Sequence, residues 1–254
     1  MNVKKSNSKR RLDTAKQQDN YLQLLDLMQI TNANFPIGSF SHSFGIETYI
    51  RKDIVHDGNS LVKALLLYMN EQLLFGDLLA IREIYKIFRS KNADSVKHKK
   101  IWAIDHMLGT QGLSKETRDG QRRVGQQMVK IYNEIFDCEL MVQYAQLIKE
   151  KKCFGNPAVA FGILAIHLEL DLQISLYTHL YSTVAALTQN CVRAIPLGQV
   201  LGQQIIYELR HKYFEDIINK AFKLDFKTDF CKNNPGLEIA QMEHEDISVR
   251  LFMS

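Results

Sequence analysis

The chain has 254 residues, 46% of them hydrophobic and 24% charged, a balance that excludes collagen-like, coiled-coil and wholly disordered chains. Its formal charge of +4 is local: residues 1–20 carry six basic against two acidic side chains and the remainder is neutral, a poor electrostatic footprint for nucleic acid. With only 13 glycines and 4 prolines, turn punctuation is too sparse for a many-stranded barrel or sandwich and points to helices.

Residues 1–20 read as a flexible, solvated basic arm. In residues 21–32, Tyr21, Leu24, Leu25 and Met28 recur at helical spacing, and that helix ends before Phe35-Pro36, because the residue preceding proline is pushed out of the α region. Pro36 to Gly45 lacks periodicity and reads as a loop turning into helix near Gly45. Asp57 to Ser60 is a turn with a helix cap. Apolar residues then recur from Leu61 to Phe88, predicting one long helix bent near Gly76, or two helices.

Ser90 to Lys100 reads as a basic linker or helix start, and Ile101 to Leu108 as helix broken at Gly109 to Gly112. Helices are expected from Ser114 through Ile135 and over Asp137 to Lys151. Asn156-Pro157 opens the next, with Pro157 suited to the first helical position. Ala158 to Leu168 is apolar nearly all round, the signature of a central buried helix. Ser175 to Val192 carries a helical stripe that Pro196 ends. Gly198 to Tyr213 and Phe214 to Leu224 follow. Asn233 to Gly236 is a turn that detaches the C-terminal segment. The expectation is an all-α bundle of roughly ten helices, with a domain over residues 21–232 and a separate segment at 233–254.

Little here is built for bond-making. Gly109-Thr110-Gln111-Gly112 lacks the Gly-Lys-Ser/Thr ending that a phosphate-cradling loop needs, so the chain is not itself a P-loop NTPase. His244-Glu245 begins like a zinc-protease helix, but Ser248 stands where the second imidazole belongs. Cys138, Cys153, Cys191 and Cys231 are scattered, as expected of buried reduced thiols in a cytoplasmic chain. His167 and His179 lie in apolar patterns and read as core histidines; Asp225 and Asp229 read as a solvated face. No metal or cofactor is expected. No apolar stretch follows the basic arm, so no secretory signal is read. The most apolar run, Ala158 to Ile166, is far short of the roughly 20 residues that cross a bilayer, so no membrane contact is expected. A hydrolase using Ser41 or His42 is the enzyme alternative, although adjacent side chains point apart and His42 cannot simply serve Ser41 as base.

The C-terminal segment, Leu237 to Ser254, carries Ile239, Met242, Ile247, Leu251 and Phe252, too few to form a core alone. Burying one such side chain yields about 1.5–3 kcal/mol, comparable to the roughly 1–2 kcal/mol of backbone entropy each ordered residue costs. The segment therefore orders either on its own body or on a partner, with Arg250 as an anchor candidate.

Four blocks together resemble the UreF family of urease accessory proteins. They are Phe35-Pro36-Ile37-Gly38-Ser39-Phe40-Ser41-His42-Ser43-Phe44-Gly45-Ile46-Glu47, the Glu116-Thr117-Arg118 helix start, Asn190 to Gln203, and Met242-x-His244-Glu245 with Arg250-Leu251-Phe252. The chain departs from the family pattern at Ser248, where tyrosine is usual, at Val249, where serine is usual, and at Leu201, where aspartate is common. The resemblance implies an all-α, non-catalytic adaptor in nickel delivery to apo-urease. Such an adaptor works as a homodimer, binds the accessory protein UreD (UreH in some organisms) and recruits the GTPase UreG. It also implies partner binding by Met242, His244, Glu245, Arg250, Leu251 and Phe252. A dimer- or GTPase-facing role falls to Pro36, Gly38, Phe40, Ser41, His42, Gly45 and Glu47. A structural turn falls to Pro196, Gly198, Gln199, Gly202 and Gln203.

Overall fold

The computed structural model describes residues 21–254 except Ala33. The expected arm, residues 1–20, lies outside the described residues. The described residues fall into two compact units, one ending at Phe35 and the other spanning Pro36–Ser254. In the first, residues 21–30 make helix α1, followed by a turn in which the Phe35 amide bonds the Asn32 carbonyl at 2.9 Å.

The second unit is helical throughout, with no strand among the described residues. Its order is α2 (Ile46–Arg51), α3 (Gly58–Tyr68), a π-helical stretch (Met69–Leu78), α4 (Leu79–Arg89), α5 (Asp94–Gln111), α6 (Lys115–Ile135) and α7 (Glu139–Lys149). Then come α8 (Pro157–His167), α9 (Leu172–Ala194), α10 (Gln199–Lys212), α11 (Phe214–Lys223), α12 (Phe226–Asp229) and α13 (Pro235–Glu243), with 3-10 turns at Ser39–Ser41 and His244–Asp246.

Local chemistry explains the starts. Asp57 caps α3 by accepting from the Ser60 amide at 2.8 Å, and the Ser60 hydroxyl oxygen accepts from the Asp57 amide at 3.0 Å, a capping box. Ser114 caps α6, Asn156 caps α8 with Pro157 behind it, and Asp171 caps α9.

The core is built around α8, in which every residue from Ala158 to Ala165 is buried. Helices α4 and α6 pack on it. Gly162 lets Ile84 of α4 approach, since a Cβ there would lie 3.2 Å from Ile84 Cδ1. Gly58–Arg89 is one continuous 32-residue helix, long and apolar enough by length and composition to cross a membrane. That helix, rather than Ala158–Ile166, is the long apolar span among the described residues. Its Leu61, Leu65, Met69, Leu73, Leu78, Ile81 and Ile84 are all buried inside the protein, as in the core helix of a globular fold. Of the bent helix or two helices expected around Gly76, the helix is single, and Met69–Leu78 within it is π-helical, with the Phe75 carbonyl accepting from the Cys231 amide at 2.9 Å.

Two expectations change. Helix α5 runs through Gly109 to Gln111 and stops only at Gly112. Gly109 is there for close approach, because a Cβ would fall 2.1 Å from the Phe154 ring. At its other end α5 begins at Asp94, so of the two readings of Ser90 to Lys100 the helix start is the one seen. Asn233 to Gly236 does not detach the C-terminal segment: Asn234 caps α13 by accepting from the Leu237 amide, and α13 packs on α2 and α6 within the same unit.

Asp105, fully buried on α5, organises the α7–α8 connection. It accepts from Tyr144 Oη at 2.5 Å and from the amides of Phe154, Gly155 and Asn156 at 2.6, 3.1 and 2.9 Å. Burial, reinforced by the Asp105 charge, pushes the Tyr144 phenol well up.

Candidate functional site

Residues from all four blocks, scattered through the sequence, meet at one place: a clasp that holds the C-terminal segment. Its floor is the loop before α2. Gly38 and Gly45 adopt φ of +79° and +93°, and Phe44 sits at +50°, so the chain turns sharply into α2. Gly45 also has no room for a side chain, since a Cβ would come 2.8 Å from Gln241 Cγ of α13. Asn190 of α9 fixes the loop by donating to the Ser39 and His42 carbonyls at 3.2 and 2.8 Å. Thr48 Oγ1 donates to the Ala240 carbonyl at 2.6 Å and ties α2 to α13.

The central group is Glu47, in the first turn of α2 and 1% exposed. Its two carboxylate oxygens accept from the Leu251 amide at 2.8 Å and the Phe252 amide at 3.0 Å. His244 lies between two carboxylates: Nε2 meets Glu47 Oε2 at 3.1 Å and Nδ1 meets Glu116 Oε2 at 2.7 Å. Arg250 Nη1 reaches the other Glu116 oxygen at 2.5 Å. Burial alone would raise the Glu116 carboxyl, but the hydrogen bonds from His244 and Arg250 carry it below the ordinary glutamate value.

The last residues close the clasp. The Met253 amide donates to the Ser41 carbonyl at 2.7 Å, and the Ser254 oxygen accepts from the Ser43 and Phe44 amides at 2.5 and 3.0 Å and from Ser43 Oγ at 3.0 Å. His42 Nδ1 is 2.8 Å from Ser254 Oγ. Burial, with the charges of Arg123 and His244, drops the His42 pKa to about 4, so its ring is neutral at neutral pH. Gly120 on α6 makes room for both groups; a Cβ there would lie 2.7 Å from Ser254 Oγ and 2.8 Å from His42 Nδ1. Phe252 is buried with the Arg193 guanidinium 5.9 Å from its ring centre.

The implied partner-binding residues therefore divide. His244 and Phe252 are buried, while Met242, Glu245, Arg250 and Leu251 are exposed. Val249, Arg250 and Leu251 are all exposed, and from Leu251 to Ser254 burial alternates, with Phe252 and Ser254 inward and Val249, Leu251 and Met253 outward at 70%, 57% and 53% exposure. Ile239 and Met242 add two exposed apolar side chains from α13. In the α2 loop, Pro36 and Gly38 are exposed, Phe40 and Ser41 half-buried, and His42, Gly45 and Glu47 buried. Of the segment's two ordering routes, docking on its own body is the one seen.

Pro196 and Gly198 make the turn between α9 and α10, with Gln199 first in α10 and Gln203 on its exposed side. Gly202 lets the two helices cross closely, as a Cβ would be 2.8 Å from Val192 Cγ2. Leu201 lies against Gly58 of α3 rather than in a polar turn. His42 is directed at Ser254, not at Ser41, so the Ser41/His42 nucleophile geometry is not formed. Of the two histidines expected in the core, His179 is buried and bonds Asp77 at 2.8 Å, whereas His167, the last residue of α8, is exposed because that helix ends at the surface there. Asp225 caps α12 and accepts from the Lys227 amide at 3.1 Å. Among the described residues no group of three or more His, Cys, Asp and Glu is placed to hold a metal.

Sequence reasoning missed Gly120, Asn190's loop bonds, Gln241 and Ser254. Only close approach in space reveals them; an interior glycine on an otherwise good helix was the one available signal.

A model of the UreF family matches residues 55–210. Proteins named urease accessory protein UreF from two strains of Ureaplasma parvum serovar 3 are each 74% identical to the chain over 234 residues, 92% of this chain and 97% of theirs. The protein of that name from Ureaplasma urealyticum serovar 10 gives the same figures.

Proposed function

The chain belongs to the UreF family of urease accessory proteins, and from that premise we propose that the clasped C-terminal segment is the surface by which it joins the urease maturation assembly. Its role is non-catalytic and serves urease maturation, in which nickel is inserted into the enzyme. In this reading it is a cytoplasmic homodimer that binds a UreD/UreH-type accessory protein and recruits the GTPase UreG to apo-urease. With no P-loop in this chain, nucleotide chemistry falls to that second protein.

One observation carries the proposal. The inner side of residues 249–254 is held by buried polar partners, whereas the outer side offers Val249, Leu251 and Met253, extended by Met242 and Ile239 of α13. These five exposed apolar side chains share the segment with the exposed Glu245 and Arg250, the composition of an interface core with a charged rim. The clasp holds this strip in place before contact, which lowers the ordering cost of binding. The α2 loop thus supports the surface from beneath through Glu47 and His42, and Pro36 and Gly38 remain accessible to a second chain or to the GTPase.

The test is co-purification of the UreD-type protein with the Val249→Asp/Leu251→Asp variant. Capture falls by about a hundredfold, the scale of losing two interface anchors of roughly 1–2 kcal/mol each, while helical circular dichroism is unchanged. Undiminished capture would reject the assignment.

A further inference from the structure

A second feature lies beneath α13, away from the exposed strip. Gln72 and Asp77 of the π-helical stretch, Gln111 at the end of α5, Gln121 of α6, and Glu238 and Gln241 of α13 enclose a small cavity of about 10 Å³, room for one occupant the size of a water molecule. Leu108, Gly112, Thr117 and Asn156 complete the wall, so amide and hydroxyl groups stand beside the two carboxylates. Asp77 is bonded to His179 at 2.8 Å. Glu238 is different. It is 3% exposed, its Oε2 accepts from the Leu113 amide at 2.6 Å, and its Oε1 is fully buried with no hydrogen-bond partner among the described residues. Gln241 is 1% exposed; its Nε2 donates to the Phe44 carbonyl at 3.2 Å, which fixes the amide orientation and leaves Oε1 buried and unpartnered as well.

Two buried acceptors one helical turn apart, on the cavity-facing side of α13, call for a donor or a positive charge. No cationic side chain bonds Glu238 among the described residues. The two unpartnered atoms are oxygens, which suit a hard cation rather than a soft thiolate- or imidazole-loving metal. The space is too small for a divalent ion that keeps its water shell, as magnesium does.

We infer that this cavity binds one monovalent cation of water's size, potassium or ammonium, between Glu238 Oε1 and Gln241 Oε1. The ion neutralises Glu238 and completes the coordination of both orphaned oxygens. It also ties α13 to the core from below, because Gln241 packs on Gly45 and its carbonyl accepts from Ser114 Oγ at 3.1 Å. The site does not depend on any partner protein, so its failure would leave the docking proposal standing.

The experiment is thermal unfolding of the full chain in potassium, ammonium, sodium or choline chloride at one fixed ionic strength. Potassium or ammonium raises Tm saturably over choline, by roughly 5–10 °C at about a hundredfold above Kd, and the separate salts identify which ion is preferred. In Glu238→Gln, which keeps an oxygen for the Leu113 amide but removes the charge, the salt-specific rise disappears. The same Tm in all four salts would overturn the inference, an internal water then filling the space. So would a rise that persists unchanged in Glu238→Gln. The wild-type comparison decides the matter even if the variant folds poorly.

Discussion

Replacing Glu47 by alanine removes the group on which the clasp turns. The carboxylate is buried and accepts from the amides of Leu251 and Phe252. Hydrogen bonds to charged groups contribute about 1.5–3 kcal/mol each, so the two amides alone account for roughly 3–6 kcal/mol of docking free energy. His244 loses one of its two carboxylate partners at the same time. Even the lower figure raises the population of the opened segment by about a hundredfold. Hydrogen exchange reads this directly: in Glu47→Ala the amides of residues 251–254 exchange at least a hundredfold faster, while those of α8 change little. Glu243, on the surface and paired with Lys52, serves as control; Glu243→Gln moves exchange by less than about threefold, as expected of a surface ion pair. Unaltered protection of Leu251 and Phe252 in Glu47→Ala would refute the reasoning, because it would mean the segment is held by its apolar contacts alone.

Gly120→Ala should weaken the same closure from the other side, costing about 1–3 kcal/mol through overpacking against His42 and Ser254 and lowering the urea midpoint. Asp105→Ala strands three amides at the α7–α8 connection and should destabilise the whole fold by about 3–5 kcal/mol, seen in urea unfolding monitored at the single tryptophan. The pH dependence has a definite sign. His42 titrates at about 4 when folded against 6.5 in the open chain, so the unfolded state takes up a proton first and stability falls as pH drops from 6.5 towards 4. Glu116, lowered from 4.5, adds stability that is present above 4.5 and lost as pH falls through its lower folded value. His42→Gln should flatten the loss between about pH 6.5 and 4.5, and parallel profiles for variant and wild type would contradict the assignment.

Much of the fold is legible because its signals are local. Asn156-Pro157 announces α8, its all-round apolar sequence announces its burial, and Gly76 marks the irregular turn in the long helix. The sequence misleads where a residue answers to something distant. Gly109 looks like a helix breaker and is instead the seat of the Phe154 ring. Asn233 to Gly236 looks like a detaching turn because its composition fits one, yet Asn234 simply starts α13. The clasp is legible as motifs but not as a mechanism. Glu47, Glu116, His244 and Arg250 each stand out within a block, but Glu47 and His244 are 197 residues apart, and Glu116 and Arg250 are 134 apart. No periodicity records such pairings. Nor does the sequence distinguish the inward Phe252 from the outward Leu251, since both are apolar and the amides of both bond Glu47.

The claim that the outward strip is the docking surface is tested most directly by oxidative footprinting of methionines in the free protein and in its complex with the UreD-type partner. Met242, Met253 and Met107 are 48%, 53% and 40% exposed in the free chain, so all three are oxidised readily. In the complex, Met242 and Met253 should become protected while Met107 on α5 reacts as before. Equal oxidation of Met242 and Met253 in the free and bound protein would contradict the account.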